Sequence, residues 1–227
     1  MSTTSTSSPA LTTTEGRQLR RAGWLLIGSF IGFVVFVATM IATNNGYDAA
    51  LSAAAEQRGI SLNDLPAEAV APINHEYNMI WQGVLLLVLN MLTLGLYIAG
   101  VRLATHGSLG RAAVLAAAVM PLCWLVVFVL DYALGTDDPD GWFGIYDAAY
   151  NRAIALSTVA GSLALIGVVV LLRRAGVARR TGVVVAALAI LTMVTAVAFG
   201  APPVVPLLLA AIVGIVMVRT ARSVTAG

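Results

Sequence analysis

RQLRRAGWLLIGSFIGFVVFVATMIATNNGYD, residues Arg17 to Asp48, sets the architecture. Three arginines open the stretch, and no further charge occurs until Asp48. About 20 helical residues cross the hydrocarbon core of a bilayer, so the run over 22–43 predicts a membrane span with one basic and one acidic end. The same polarity recurs along the chain. Apolar runs over 79–103, 112–134, 153–172, 182–199 and 204–218 predict five more spans. Arg102, Arg111, Arg173, Arg174, Arg179, Arg180, Arg219 and Arg222 fall in every second connection and at the C-terminus. The other connections hold Asp48, Glu56, Asp64, Glu68, Glu76, Asp131, Asp137, Asp138, Asp140 and Asp147, with only Arg58 and Arg152 as basic company. Short arginine-rich loops stay cytoplasmic during insertion, so the alternation predicts an all-α integral membrane bundle of six transmembrane helices with both termini inside.

Composition agrees. At 59% hydrophobic, 11% charged and a mean hydropathy of +0.90, the chain has too little polar surface to fold around a single soluble core. The pI near 9.0 does not point to nucleic acid, because the arginines flank apolar spans and do not gather on a soluble module. They face lipid headgroups instead. The arginine-only basic usage with abundant Ala, Val and Leu fits a bacterial chain in the cytoplasmic membrane. Residues 1–16 are rich in Ser and Thr and lack a basic n-region and cleavage site, so they read as a disordered cytoplasmic tail. Residues 17–220 then form one six-helix domain, and 221–227 a second tail. The outer loop 44–78 is the one sizeable connection. Its alanine-rich part suggests a short interfacial helix capped by Asn44 or Asn45, with Leu65-Pro66 and Ala71-Pro72 breaking any continuation.

Polar residues within apolar spans are the strongest functional signal, because an unsatisfied polar group in hydrocarbon is costly. At about 100° per residue, His75, Met79, Gln82, Leu86, Asn90, Thr93 and Tyr97 share one stripe of the second span. Asp147, Asn151, Thr158 and Ser162 share a face of the fourth. Such faces commonly hydrogen-bond neighbouring helices as glue. They also suit a polar pocket opening outward between the second, third and fourth spans. The residues that would bind a ligand there are His75, Gln82, Asn90, Tyr97, Asp147, Asn151 and Arg152.

Glu76, Tyr77, Asp131, Tyr132, Trp142, Phe143, Tyr146 and Tyr150 crowd the expected outer mouth. An interfacial aromatic belt accounts for the rings. The carboxylates are open to a chemical role, and Glu76 and Asp131 are the candidate general acids; Arg152 is expected to pair with Glu76, Asp131 or Asp147. Asp137-Asp138-Pro139-Asp140-Gly141 is a solvated turn by its Pro-Asp-Gly core and lacks the spaced ligands of a calcium loop. No metal and no cofactor is expected.

Two sequence echoes bear on architecture. Val34-Val35-Phe36-Val37 recurs as Val126-Val127-Phe128-Val129, and Tyr77-Asn78 as Tyr150-Asn151, which is either a duplicated hairpin or a coincidence of a valine-rich composition. Gly28 and Gly32 form a GxxxG spacing that admits close approach of another helix, from the same chain or a second copy.

Several functions are excluded. The chain has no lysine for a Schiff base, and its single cysteine, Cys123, excludes a CxxC pair. His75 and His106 belong to opposite membrane sides and cannot jointly ligate a haem iron. Walker A, HExxH and GxSxG motifs are absent. What remains is a binding or transport component for a small or amphiphilic molecule, an intramembrane enzyme acting on a lipid or isoprenoid, or a structural or accessory subunit. Membrane lipids are the expected partners, together with a second copy or partner membrane subunits, and no nucleic acid.

Overall fold

A computed structural model describes residues 12–77, 79–105, 107–134, 143–177, 179–200 and 202–225. Among them are seven α-helices: α1 (Thr13–Arg58), α2 (Ala67–Tyr77), α3 (Met79–Ala104), α4 (Gly107–Leu134), α5 (Phe143–Arg174), α6 (Arg179–Phe199) and α7 (Val204–Thr225). All except α2 are long and apolar enough to cross a membrane. The six-span, all-α class expected from the charge alternation is therefore the class the chain adopts.

The largest departure is at α1. The helix begins at Thr13, inside the stretch expected to be a tail, because Thr12 and Glu15 form a reciprocal capping box. The Thr12 hydroxyl accepts from the Glu15 amide at 3.3 Å, and the Glu15 carboxylate accepts from the Thr12 amide at 2.8 Å. At its far end α1 passes through Asn44-Asn45-Gly46 without a break. The alanine-rich segment that follows has high helix propensity, so the expected separate interfacial helix is a continuation of the span. Gly59 ends it with a left-handed φ of 63°, where the Ile60 and Gly59 amides bond the Ala55 and Glu56 carbonyls. At 1.5 Å per residue its 46 residues reach about 69 Å, more than twice the thickness of a hydrocarbon core.

A 3₁₀ turn over Leu62–Asp64 then leads into α2, which folds back on the projecting part of α1. The Pro66 carbonyl accepts the Ala69 and Val70 amides, so this proline starts α2. Pro72, expected to break any helix, lies inside it. As the sixth residue of α2 it has no amide to bond the Glu68 carbonyl, so this short helix runs on with one rung of its ladder missing. The Tyr47 hydroxyl donates to the Asn74 side-chain oxygen, and the Tyr47 and Tyr77 rings meet edge to face at 6.1 Å. The described residues of the connection over 44–78 form a helical hairpin.

Within the bundle, α1 packs on α7 and α3, α3 on α4, and α4 on α5; α5 closes the ring against α7, and α6 lies outside against both. Small residues set the closest approaches, as expected where lipid offers no hydrophobic drive between helices. A Cβ on Gly23 would stand 2.6 Å from the Gly214 carbonyl oxygen, and one on Gly214 would stand 2.5 Å from that of Gly23. These two backbones touch. Gly28 and Gly32 both face α3, against Leu96 and the Thr93 hydroxyl, so the GxxxG spacing is used within the chain. The outward side chains are apolar: Leu115, Val197 and Phe199 are 69%, 74% and 84% exposed, a surface suited to lipid.

The same contacts order the charges. Gly100 lies against Ala22, Gly167 against Ala113, Gly182 against Val169 and Gly214 against Gly23. Arg20, Arg21, Arg102, Arg111, Arg173, Arg180 and Arg219 consequently lie at one end of the bundle, and the acidic hairpin at the other. The repeated valine quartets, by contrast, occupy unlike surroundings. Phe36 and Val127 are buried, while Val35 and Val126 are exposed, so the echo does not mark equivalent positions.

Candidate functional site

The centre of the ring is held by Tyr97 of α3, fully buried, whose hydroxyl donates to the Gly161 carbonyl of α5 at 2.8 Å. Gly161 has no room for a side chain, since a Cβ there would lie 2.9 Å from the Met120 sulfur and 3.2 Å from Pro206. Tyr97, Met120 and the start of α7 thus meet at one level. On the arginine side of it the interior is mostly apolar, with Val101, Ala113, Leu165, Val168 and Met217, although Thr105 and Ser162 are buried there too.

On the opposite side it turns polar. Helices α3 and α5 are separated by one antiparallel helix and so run parallel, and the Tyr97–Gly161 bond sets their register. Thr93 then lies at the height of Ser157, and Asn90 at that of Ile154. The Gly32–Thr93 contact brings Phe33 and Phe36 of α1 to this layer, and the Met120–Gly161 contact brings Trp124 of α4. The rings are in contact: Phe33 and Phe36 at 5.9 Å, Phe36 and Trp124 edge to face at 6.3 Å.

Hydrogen bonding distinguishes this layer from ordinary helix glue. Thr93 and Thr158 direct their hydroxyls to carbonyls of their own helices, Leu89 and Ile154. Ser157 and Ser162 on α5 are buried, and their hydroxyls have no partner among the described residues. Asn90 is only 6% exposed, and its amide likewise makes no hydrogen bond among them. The two fully buried serine hydroxyls carry an unrecovered desolvation cost of about 1–3 kcal/mol each unless something outside the chain completes them. Ser162 shares the face of α5 that carries Val169, and Val169 meets Gly182 of α6. The two unpaired groups that share the aromatic layer are therefore Asn90 and Ser157.

Of the residues singled out from sequence, Asn90 and Tyr97 are brought together with α5. His75 and Glu76 stand exposed on α2, in the hairpin, where α2 ends at Tyr77 and α3 begins anew at Met79. The continuous stripe from His75 to Tyr97 is therefore divided between two helices. Gln82 lies in the first turn of α3, Asp131 in the last turn of α4 and Asp147 near the start of α5, all with side chains outside the described residues. His106, Asp137, Asp138 and Asp140 also fall outside them. Asn151 is exposed near the α6–α7 turn, where its side-chain oxygen comes within 3.8 Å of the Cβ position of Gly200. Arg152 is exposed and forms no ion pair among the described residues, so its expected pairing with Glu76 is not made.

Ser157 and the three rings were not among the residues singled out. The Ser157-to-Gly161 spacing, one helical turn, carried the first signal; the rings lay on helices whose inward faces the apolar runs do not reveal. A separate shallow crevice lined by Val169, Leu172, Thr181, Gly182, Val185, Val213 and Val216 lies toward the arginine end.

Fold and site together define a multipass membrane protein with a polar layer inside the half of its bundle farther from the arginines. Comparison with protein-family models, with curated proteins and with solved structures finds no match, so nothing narrows that class except the site itself.

Proposed function

We propose that the protein is a binding or transport component of the bacterial cytoplasmic membrane. It holds a small, neutral, hydrogen-bonding or amphiphilic molecule in the outward half of its bundle. The observation that carries this reading is the pair of buried, unpaired polar groups, Asn90 and Ser157, beside Phe33, Phe36 and Trp124. An amide and a hydroxyl offer donors and acceptors without net charge, and the rings offer flat apolar surface, the usual makeup of a small-molecule site. Tyr97 forms the floor of the site. The enzymatic alternative draws less support, because Glu76 stands in the hairpin, away from this layer.

Asn90→Leu separates ligand binding from helix glue. An amide with no intramolecular partner contributes nothing to assembly, so the substitution should leave thermal stability unchanged or raise it by about 1 kcal/mol. Small molecules extracted from the purified wild-type protein should include a neutral species that Asn90→Leu and Ser157→Ala lack. Loss of folded protein in Asn90→Leu, or identical extracts from all three, would count against the reading.

In this proposal the arginine end faces the cytoplasm and the α1–α2 hairpin projects outside. Reporter fusions after Gly107 and Ala175 should read cytoplasmic, and a fusion after Asp64 exterior. A cytoplasmic signal at Asp64 would invert the site as well as the topology.

A further inference from the structure

We propose that the lipid-facing side of the α1–α7 seam, at its arginine end, is a binding site for an anionic phospholipid, whose phosphate is held by Arg17, Arg20 and Arg219, with Arg222 adding positive charge beside them. The contact between Gly23 and Gly214 fixes the direction in which the two helices face each other. Successive residues advance about 100° around a helix. Counted from Gly23, Arg20 then lies about 60° round, Trp24 about 100° and Arg17 about 120°; counted from Gly214, Arg222 lies about 80° and Arg219 about 140° in the same sense. In antiparallel helices, equal senses of rotation lead to the same side of the seam. All four guanidiniums therefore line one side.

That side faces lipid. Most of the buried residues of the two helices, among them Ala22, Leu26 and Ser29 of α1 and Ala210, Val213 and Met217 of α7, lie in the opposite sense of rotation, while Ala211 and Val218, buried at about 60° and 40°, mark the inner edge of the strip. The arginines are exposed, and Trp24 is 50% exposed among them. Heights match as well: the Val218 side chain lies 2.8 Å from the Cβ position of Gly23, so the turn holding Arg219 and Arg222 is level with the turn holding Arg20. Farther along the seam, Ile31 and Ile215, 57% and 42% exposed, continue the strip as apolar surface for acyl chains.

Charge selects the headgroup. Glu15 is the sole carboxylate at this end of the sequence, and it is engaged by the amide and hydroxyl of Thr12. Among the described residues Arg17, Arg20 and Arg219 form no ion pair. Guanidinium forks match the oxygens of a phosphodiester, and a zwitterionic headgroup would bring its own cation into the cluster.

The test uses the full chain in micelles of phosphatidylcholine containing phosphatidylglycerol, with bound lipid read by native mass spectrometry. Wild type should retain phosphatidylglycerol in preference to phosphatidylcholine. Each arginine near a membrane surface is worth about a fivefold factor, so Arg219→Gln with Arg222→Gln should weaken retention up to about 25-fold. This pair leaves the arginines preceding the first span in place, and an unchanged thermal midpoint in phosphatidylcholine alone would show that it folds. Arg173→Gln with Arg174→Gln, on α5 and outside the α1–α7 seam, should retain lipid as wild type does. Equal retention of the two lipids by wild type would overturn the proposal. So would undiminished retention in the Arg219/Arg222 variant, an equal loss in the Arg173/Arg174 variant, or complete displacement by inorganic phosphate, which would mark a site for a free anion.

Discussion

Replacing Gly214 by valine is expected to disrupt the folded bundle, an effect larger than that of any lipid-facing substitution. A Cβ at this position falls 2.5 Å from the Gly23 carbonyl oxygen and 3.1 Å from the Ile27 side chain, and the nearer of these is backbone that cannot rotate away. The helices would have to separate, and α1 and α7 share one of the most extensive interfaces in the molecule. Overpacking on this scale costs about 3 kcal/mol or more. Gly23→Val should do the same, and the two together should cost far less than their sum because they break one contact. Gly95→Ala is the matched control. Nothing among the described residues lies within 4 Å of its Cβ position, so it should be neutral or stabilise by about 0.5–1 kcal/mol through helix propensity. Thermal unfolding monitored by size-exclusion chromatography in detergent would decide. A Gly214→Val protein that unfolds with Gly95→Ala would mean that the seam opens without cost.

Tyr97→Ala is the second change with a large expected effect. Tyr97 is the largest fully buried side chain among the described residues, and removing its ring leaves a cavity at the point where α3, α4, α5 and α7 converge. Truncating a buried aromatic costs about 3–5 kcal/mol. Tyr97→Phe isolates the hydroxyl. It keeps the ring and loses the bond to Gly161, with an expected cost of about 0.6–1.7 kcal/mol, the range for interhelical hydrogen bonds in membranes. The difference between these variants measures the packing contribution. If Tyr97→Phe proved as damaging as Tyr97→Ala, the hydrogen bond and not the ring would hold the centre together.

Six apolar spans and their positions are legible along the chain alone. Span length is set by bilayer thickness, and the alternation of arginine-rich with acidic connections needs no more than counting; both are local quantities. The capping box at Thr12 and Glu15 and the glycine stop at Gly59 are equally local, each carried by a few adjacent residues. The continuation of α1 beyond the bilayer is harder to read. An alanine-rich segment favours helix whether it lies on the membrane or stands above it, and what fixes it here is α2 folding back, with Tyr77 over Gly46 and Tyr47 bonded to Asn74.

The candidate site divides the same way. Asn90 and Tyr97 are legible because a polar residue inside an apolar run is conspicuous and a stripe follows from helical period. Periodicity does not say which neighbour a stripe faces. The donation from Tyr97 to Gly161, the aromatic layer of Phe33, Phe36 and Trp124, and the choice of Gly23 and Gly214 for the tightest crossing all depend on how the helices assemble. The reason lies in the solvent. Lipid is as apolar as leucine, so hydrophobicity orders helices against water but not against one another, and the arrangement within the bundle rests on close fit between small residues that no one-dimensional pattern records.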